Sequence, residues 1–125
     1  MIDDDEDDQE FFITAVDQLS KSIICTTISR ASEALQKLKE KTLNPDLIFL
    51  DLNMPIMNGQ QFLTEIKKVP ILKNLPVIIL STSSHETTIQ LMKELGAKDF
   101  ITKPDSFDKL VLLLKPFLNQ VETIA

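Results

Sequence analysis

Tryptophan and tyrosine are absent from this chain, and cysteine and histidine occur once each. A single cysteine, Cys25, excludes an internal disulfide framework and a cysteine metal cluster. Set in the apolar stretch Ile23-Ile24-Cys25-Thr26, it reads as a buried, inert thiol. The lone histidine opens His85-Glu86-Thr87-Thr88-Ile89, which lacks the second histidine of a zinc-protease helix, so His85 is expected to be an exposed residue in a helix's first turn. Long apolar runs are also missing. Nothing approaches the ~20 residues that a membrane-spanning helix needs, and no basic-then-apolar start suggests a signal peptide. A soluble, cytoplasmic protein with no membrane contact is expected.

What is present fits one domain over residues 1–125, large enough to bury a core without metal or disulfide staples. The net charge of −6 is local, because Asp3, Asp4, Asp5, Glu6, Asp7, Asp8 and Glu10 supply seven of the nineteen acids. Without them thirteen basic residues face twelve acidic ones. A grip on nucleic acid needs a basic surface, so direct nucleic-acid binding is not expected.

Short apolar runs alternate with helical patterns. Ile23 to Ile28, Leu47 to Leu50, Val77 to Leu80 and Phe100 to Thr102 suit strands buried on both faces of a parallel sheet. Between them, Phe12/Val16, Ala31/Leu35/Leu38, Phe62/Leu63/Ile66, Ile89/Met92/Leu95 and Leu110/Leu114/Phe117/Leu118 recur at helical spacing. Asn58-Gly59 opens the third helix, Ser83-x-x-Glu86 has capping-box spacing for the fourth, and Gly96 stands where a left-handed residue ends it. Pro116 predicts that the fifth helix kinks there or stops just before. This order implies a doubly wound α/β sandwich. Only Met1 and Ile2 stand where a first strand is expected. Either residues precede Met1 or the sheet lacks most of one strand, and the former is expected because two residues cannot span a central strand.

In such a sheet the carboxyl ends of the strands share one edge, where ligands bind. Asp3-Asp4-Asp5, Asp51, Ser81-Thr82 and Lys103-Pro104 all fall at strand ends. Alignment would bring two or three carboxylates, a hydroxyl and an ammonium into one pocket. Carboxylates ~5 Å apart repel by roughly 3 kcal/mol per pair at an effective dielectric of ~20, so the cluster demands a cation or a proton. Oxygen ligands without His or Cys favour a hard ion such as Mg²⁺.

The acidic Ile2-Asp3-Asp4-Asp5, the run Leu50-Asp51-Leu52-Asn53-Met54-Pro55-Ile56-Met57-Asn58-Gly59, Leu80-Ser81-Thr82-Ser83 and Phe100-Ile101-Thr102-Lys103-Pro104 follow in order. Together they resemble the receiver domain of bacterial two-component response regulators, over essentially the whole length. The resemblance implies a flavodoxin-like, five-stranded parallel sheet of order 2-1-3-4-5, with Mg²⁺ as cofactor. It makes Asp51 the phosphoryl acceptor, Asp4 a direct Mg²⁺ ligand and Asp3 one acting through water, with Asp51 and the Asn53 backbone carbonyl completing the set. Lys103 and the Ser81 hydroxyl would bind phosphoryl oxygens, and the Lys103-Pro104 bond would be cis. The implied partners are a sensor histidine kinase or a histidine phosphotransfer protein, and an unknown downstream protein. Thr82 stands where the family often has Ala, and Phe100 takes the place of the aromatic switch.

Other readings compete. Asp3 to Asp8 alone reads as a solvated tail or a helix N-terminus. An EF-hand starting at Asp3 fails, since its sixth position is Asp8 and its twelfth Thr14. Phe100 reads equally well as plain core. For the whole chain, the favoured reading is a stand-alone signalling module that catalyses its own phosphorylation and is not a turnover enzyme. A phosphatase-like enzyme using Asp51 transiently is disfavoured, because Asn53 replaces the second acid such hydrolases place two residues on. A receiver-like binding module that is never phosphorylated stays open.

Overall fold

The structure, a computed structural model, describes residues 1–54, 56–82 and 85–124, the last five by their backbone alone. Three parallel strands, β1 (Ile48–Asp51), β2 (Val77–Ser81) and β3 (Asp99–Thr102), lie side by side in that order. Every residue of β1 and β2 is buried, as expected for strands covered on both faces. Ile2 adds a single bridge to Leu50 on one side and to Ile28 on the other, both parallel. The spatial order is therefore Ile28, Ile2, β1, β2, β3, which is the expected 2-1-3-4-5 arrangement with its first two members reduced to bridges.

The strand expected over Ile23 to Ile28 is accordingly a correction: only Ile28 pairs. A strand exists only where a neighbouring backbone completes its hydrogen bonds. Along this segment the neighbour is Met1 to Asp3, which supplies Ile28 N–H to Met1 O (2.9 Å) and Asp3 N–H to Ile28 O (3.1 Å).

Five helices, α1 (Glu6–Leu19), α2 (Ala31–Lys39), α3 (Gly59–Lys67), α4 (Glu86–Glu94) and α5 (Phe107–Ile124), cover the sheet. Residues alternate between its faces. Ile48, Leu50, Val77 and Ile79 pack with Ala34, Leu38, Phe62, Ile66 and Met92 from α2, α3 and α4. Phe49, Ile78, Leu80 and Ile101 pack with Phe12, Val16, Leu114 and Leu118 from α1 and α5. Each fully buried Leu or Ile contributes ~1.5–3 kcal/mol relative to exposure. None of the helices among the described residues is long and apolar enough to cross a membrane.

Local signals set the helix ends. The Asp5 carboxylate accepts from the N–H groups of Asp7 and Asp8, and Glu6, Asp7 and Asp8 place negative charge at the positive end of α1. Asn58 and Gln61 form a reciprocal capping box that starts α3. Helix α4 begins after His85, an exposed N-cap with no side-chain cap bond, so the histidine lies just outside the first turn. The Ser83 capping box falls outside the described residues. Gly96, at φ 105°, ends α4 with Ala97 N–H on Met92 O and Gly96 N–H on Lys93 O, the paired bonds of a Schellman motif.

Of the two outcomes expected at Pro116, helix α5 does not stop before the proline but runs through it. Pro116 is exposed, while Leu114 and Leu118 on either side are buried, so core packing holds both halves of the helix despite the lost hydrogen bond. Cys25 is half-buried rather than buried. Burial still pushes its thiol pKa up, in keeping with an unreactive thiol.

Candidate functional site

Parallel alignment brings the predicted polar residues to one edge. Asp51 ends β1, Ser81 ends β2, Lys103 follows the last residue of β3, and Asp3 follows the Ile2 bridge. Carboxylate oxygens of Asp3, Asp4 and Asp51 all lie within 4.8 Å of one another. Asp3 is wholly buried, Asp51 is 5% exposed, and Asp4 is open to solvent. The acid run is thus both a helix N-terminus and a site, divided by which side chain turns inward.

Lys103 reaches into this cluster. Its Nζ lies 2.8 Å from Asp8 Oδ2, 3.1 Å from Asp3 Oδ2 and 3.4 Å from Asp51 Oδ1. Three ammonium protons thus meet three carboxylates. Asp8 was not among the residues singled out from sequence. The signal that could have found it is the cap: with Asp5 as N-cap, Asp8 is the third helical residue, in the turn that begins beside the strand ends. Gln9, one residue further, donates from Nε2 to the Asp3 carbonyl and to Ser29 Oγ, tying α1 to both sides of the Ile2 bridge.

Four carboxylates around one ammonium leave the site negative. Burial, reinforced by the charge of Asp3 and opposed by Lys103, pushes Asp51 up to about 6. Burial also raises Asp3, against the pull of the Asp5 N–H and Lys103. Burial alone would depress Lys103, but the Asp8 hydrogen bond and the charges of Asp51 and Asp3 hold its ammonium above the usual value. Oxygen donors, close spacing and excess negative charge suit a hard divalent cation.

Asn53 is exposed, and its backbone N–H donates to the Asp51 carboxylate. Ser81 is fully buried, and its carbonyl accepts from Lys103 N–H at 2.7 Å, joining the ends of β2 and β3. Phe100 is half-buried against the core on the α2, α3 and α4 face, and Thr82 is exposed. The cis Lys103-Pro104 bond is a further correction: there is no cis peptide among the described residues. The lysine is drawn inward by its three carboxylate partners without it.

Gly59 explains how β1 meets α3 so closely. A Cβ there would lie 2.6 Å from the Asp51 carbonyl oxygen and 2.8 Å from Leu52 Cα. Only a residue without a side chain lets the helix start against the strand end that carries Asp51.

Comparison with known proteins agrees with this geometry. A family model described as the response regulator receiver domain matches residues 1–115. The probable C4-dicarboxylate response regulator DctR of Bacillus subtilis is 33% identical over 99% of this chain and 53% of its own length. A protein-glutamate methylesterase/protein-glutamine glutaminase of Treponema denticola is 53% identical over 57% of this chain but only 18% of its own length. The chain spans about half or less of these curated relatives. Among solved structures, the phosphorylated cyanobacterial phytochrome response regulator RcpA superposes with a TM-score of 0.84 at 31% identity, covering 93% of this chain and 86% of that one. The Mn²⁺-bound form of response regulator Rcp1 gives 0.75 at 28%, covering 92% and 86%. Motif order, strand-end chemistry and a match across residues 1–115 converge: the chain belongs to the response regulator receiver domain family of two-component signal transduction.

Proposed function

We propose that Asp51 accepts a phosphoryl group from a histidine kinase or a histidine phosphotransfer protein, and that the modified chain signals by changing shape. The observation carrying this is Lys103 held within 3.4 Å of Asp51 at the sheet edge, beside the buried Asp3. An Asp51 oxygen attacks phosphorus in line as the phosphorus–nitrogen bond of the donor's phosphohistidine breaks, and the electron pair leaves on the imidazole nitrogen. Phosphoryl transfer needs positioning and charge stabilisation more than covalent help from the protein. Lys103 takes one equatorial oxygen and the Ser81 hydroxyl donates to another.

Asp4 would hold Mg²⁺ directly and Asp3 through water, with Asp51 and the Asn53 carbonyl as the other protein ligands. When bound, the ion neutralises charge on the phosphoryl oxygens and on the carboxylates. The chain acts as a cytoplasmic switch, modified once per signal, and not as a turnover enzyme. Incubation with a small acyl phosphate and Mg²⁺, read by intact-mass spectrometry, is expected to add one phosphoryl group to the native chain and none to Asp51→Asn. Equal gain by the variant overturns the assignment. Multiple turnover of phosphomonoesters would instead mark a phosphatase-like enzyme.

A further inference from the structure

The Asp4 carboxylate is open to solvent, and among the described residues no hydrogen bond or ion pair holds it. An oxygen of it nevertheless lies within 4.8 Å of oxygens on Asp3 and Asp51, where like charge pushes it outward. Whatever keeps it there acts through the backbone. The residue before it is pinned: Asp3 is wholly buried, its N–H donates to Ile28 O, and its two carboxylate oxygens meet the Asp5 N–H and Lys103. The residue after it is the N-cap of α1. Between these fixed points lies the peptide that joins Asp3 to Asp4, and its carbonyl accepts from Gln9 Nε2 at 2.5 Å.

Gln9 is itself anchored on both sides. Its backbone N–H donates to Asp5 O at 3.0 Å in the first turn of α1. The other proton of its amide goes to Ser29 Oγ at 3.1 Å, one residue past Ile28, which pairs with Ile2. Both N–H donors of the side chain are thus used. The tie is also neutral. A lysine or arginine could donate to the same carbonyl but would bring a second cation in beside Lys103, and a glutamate would face that carbonyl with oxygens. We infer that Gln9 is a positioning residue for the cation site: it fixes the Asp3–Asp4 peptide so that Asp4 meets a divalent ion with its carboxylate already ordered. The inference rests on Asp4 as a metal ligand, as proposed above. Groups that orient a ligand in this way commonly carry about ten- to a hundredfold of a site's affinity.

Calorimetric titration with Mg²⁺, beside thermal melts in chelator, tests this. Gln9→Met keeps the length of the side chain, removes both donors, and is expected to weaken Mg²⁺ binding roughly fivefold or more. Ser29→Ala, an exposed change, removes one of the anchors of Gln9 and should weaken binding about twofold, yet add nothing when combined with Gln9→Met. In an Asp4→Ala background, Gln9→Met should alter the remaining affinity by less than about twofold, because the residue through which it acts is gone. A Gln9→Met chain that melts lower in chelator yet binds Mg²⁺ as the native chain does overturns the inference and leaves the amide a structural tie. An undiminished loss in the Asp4→Ala background overturns it too, since the amide would then act on another ligand. If Asp4→Ala alone costs no affinity, the metal reading of Asp4 falls and this inference with it.

Discussion

Lys103 Nζ stands closer to Asp8, at 2.8 Å, than to the buried Asp3 at 3.1 Å or to Asp51 at 3.4 Å. Asp8 is therefore the strongest competitor for the ammonium that a phosphoryl group on Asp51 would need. Part of the attraction gained on phosphorylation is spent separating Lys103 from Asp8.

Asp8→Asn removes that competition and keeps the size of the side chain. The variant is expected to gain the phosphoryl group from an acyl-phosphate donor two- to fivefold faster, a barrier change of ~0.4–1 kcal/mol. Stability should change by less than about 1 kcal/mol, since Asp8 is 39% exposed. Stopped-time mass spectrometry at matched Mg²⁺ measures the rate. A slower reaction would mean that Asp8 positions Lys103 for transfer instead of holding it back.

The two acids after Ile2 are not equivalent. Asp3 has both oxygens engaged, Oδ1 by the Asp5 N–H at 3.0 Å and Oδ2 by Lys103, whereas Asp4 is open to solvent within the same cluster. Asp4→Ala should weaken Mg²⁺ binding roughly tenfold or more while leaving the fold intact, and Asp3→Ala should weaken it less but lower the unfolding midpoint. Calorimetric titration and thermal melts read the two effects. Equal and negligible losses of affinity would leave the acid run as a helix terminus only.

The strands that carry this site were legible because Ile48 to Leu50 and Val77 to Leu80 are buried on both faces and so read as unbroken apolar runs. Their ends were legible for the same reason, and with them Asp51 and Ser81, whereas Lys103 follows a less buried strand and was found from the apolar run Phe100-Ile101 and the proline after it. What escaped depends on neighbours distant in sequence. Residues 23–28 have strand composition, but pairing needs a second backbone, which only Met1 to Asp3 supplies. Asp8 was hidden in a run of acids until the Asp5 cap set the phase of α1. Pro116 signals a local cost that burial of Leu114 and Leu118 outweighs.

Stability should depend on pH through Asp51. Its folded pKa of about 6 lies above the ordinary 3.8, so the folded chain binds this proton more tightly than the unfolded chain does. The stabilisation is complete below about pH 4 and is lost as pH rises through about 6, with an upper bound of ~3 kcal/mol. Asp3, also raised, acts in the same direction. In chelator, denaturant titrations at pH 4.5 and 7.5 should show Asp51→Asn gaining stability over the native chain mainly at the higher pH. A gain equal at both values would mean that Asp51 does not titrate in this window.

Gly59 offers a test of geometry without touching a charged group. Alanine is the better helix former by ~1 kcal/mol, but its Cβ would meet backbone atoms of Asp51 and Leu52 that cannot swing aside. Gly59→Ala is expected to destabilise by ~1–3 kcal/mol and to slow phosphoryl transfer at least fivefold by displacing the end of β1. Urea titration with the mass-spectrometric rate assay covers both. A variant more stable than the native chain and equally fast would show that α3 and β1 have room to separate.

Phe100 carries the prediction about output. It lies on β3, beside the strand that ends in Ser81, and is half-buried against the core on the face covered by α4. A phosphoryl group on Asp51 offers the Ser81 hydroxyl a charged acceptor, and drawing that hydroxyl toward Asp51 changes the space beside Phe100. The ring can then exchange its half-buried position for a more buried one, altering the surface shared by α4, β3 and α5 on which a partner would bias the equilibrium. With no Trp or Tyr, the chain gives no convenient intrinsic fluorescence. NMR of the Phe100 ring and of amides from His85 to Leu95, with and without a beryllofluoride mimic of the acyl phosphate, is the measurement. Shifts reaching the ring and α4 are expected, and Ser81→Ala should abolish them while mimic binding at Asp51 persists. Shifts confined to Asp51 and its neighbours, with Phe100 unmoved, would assign the ring to the core and send the signal out by another face.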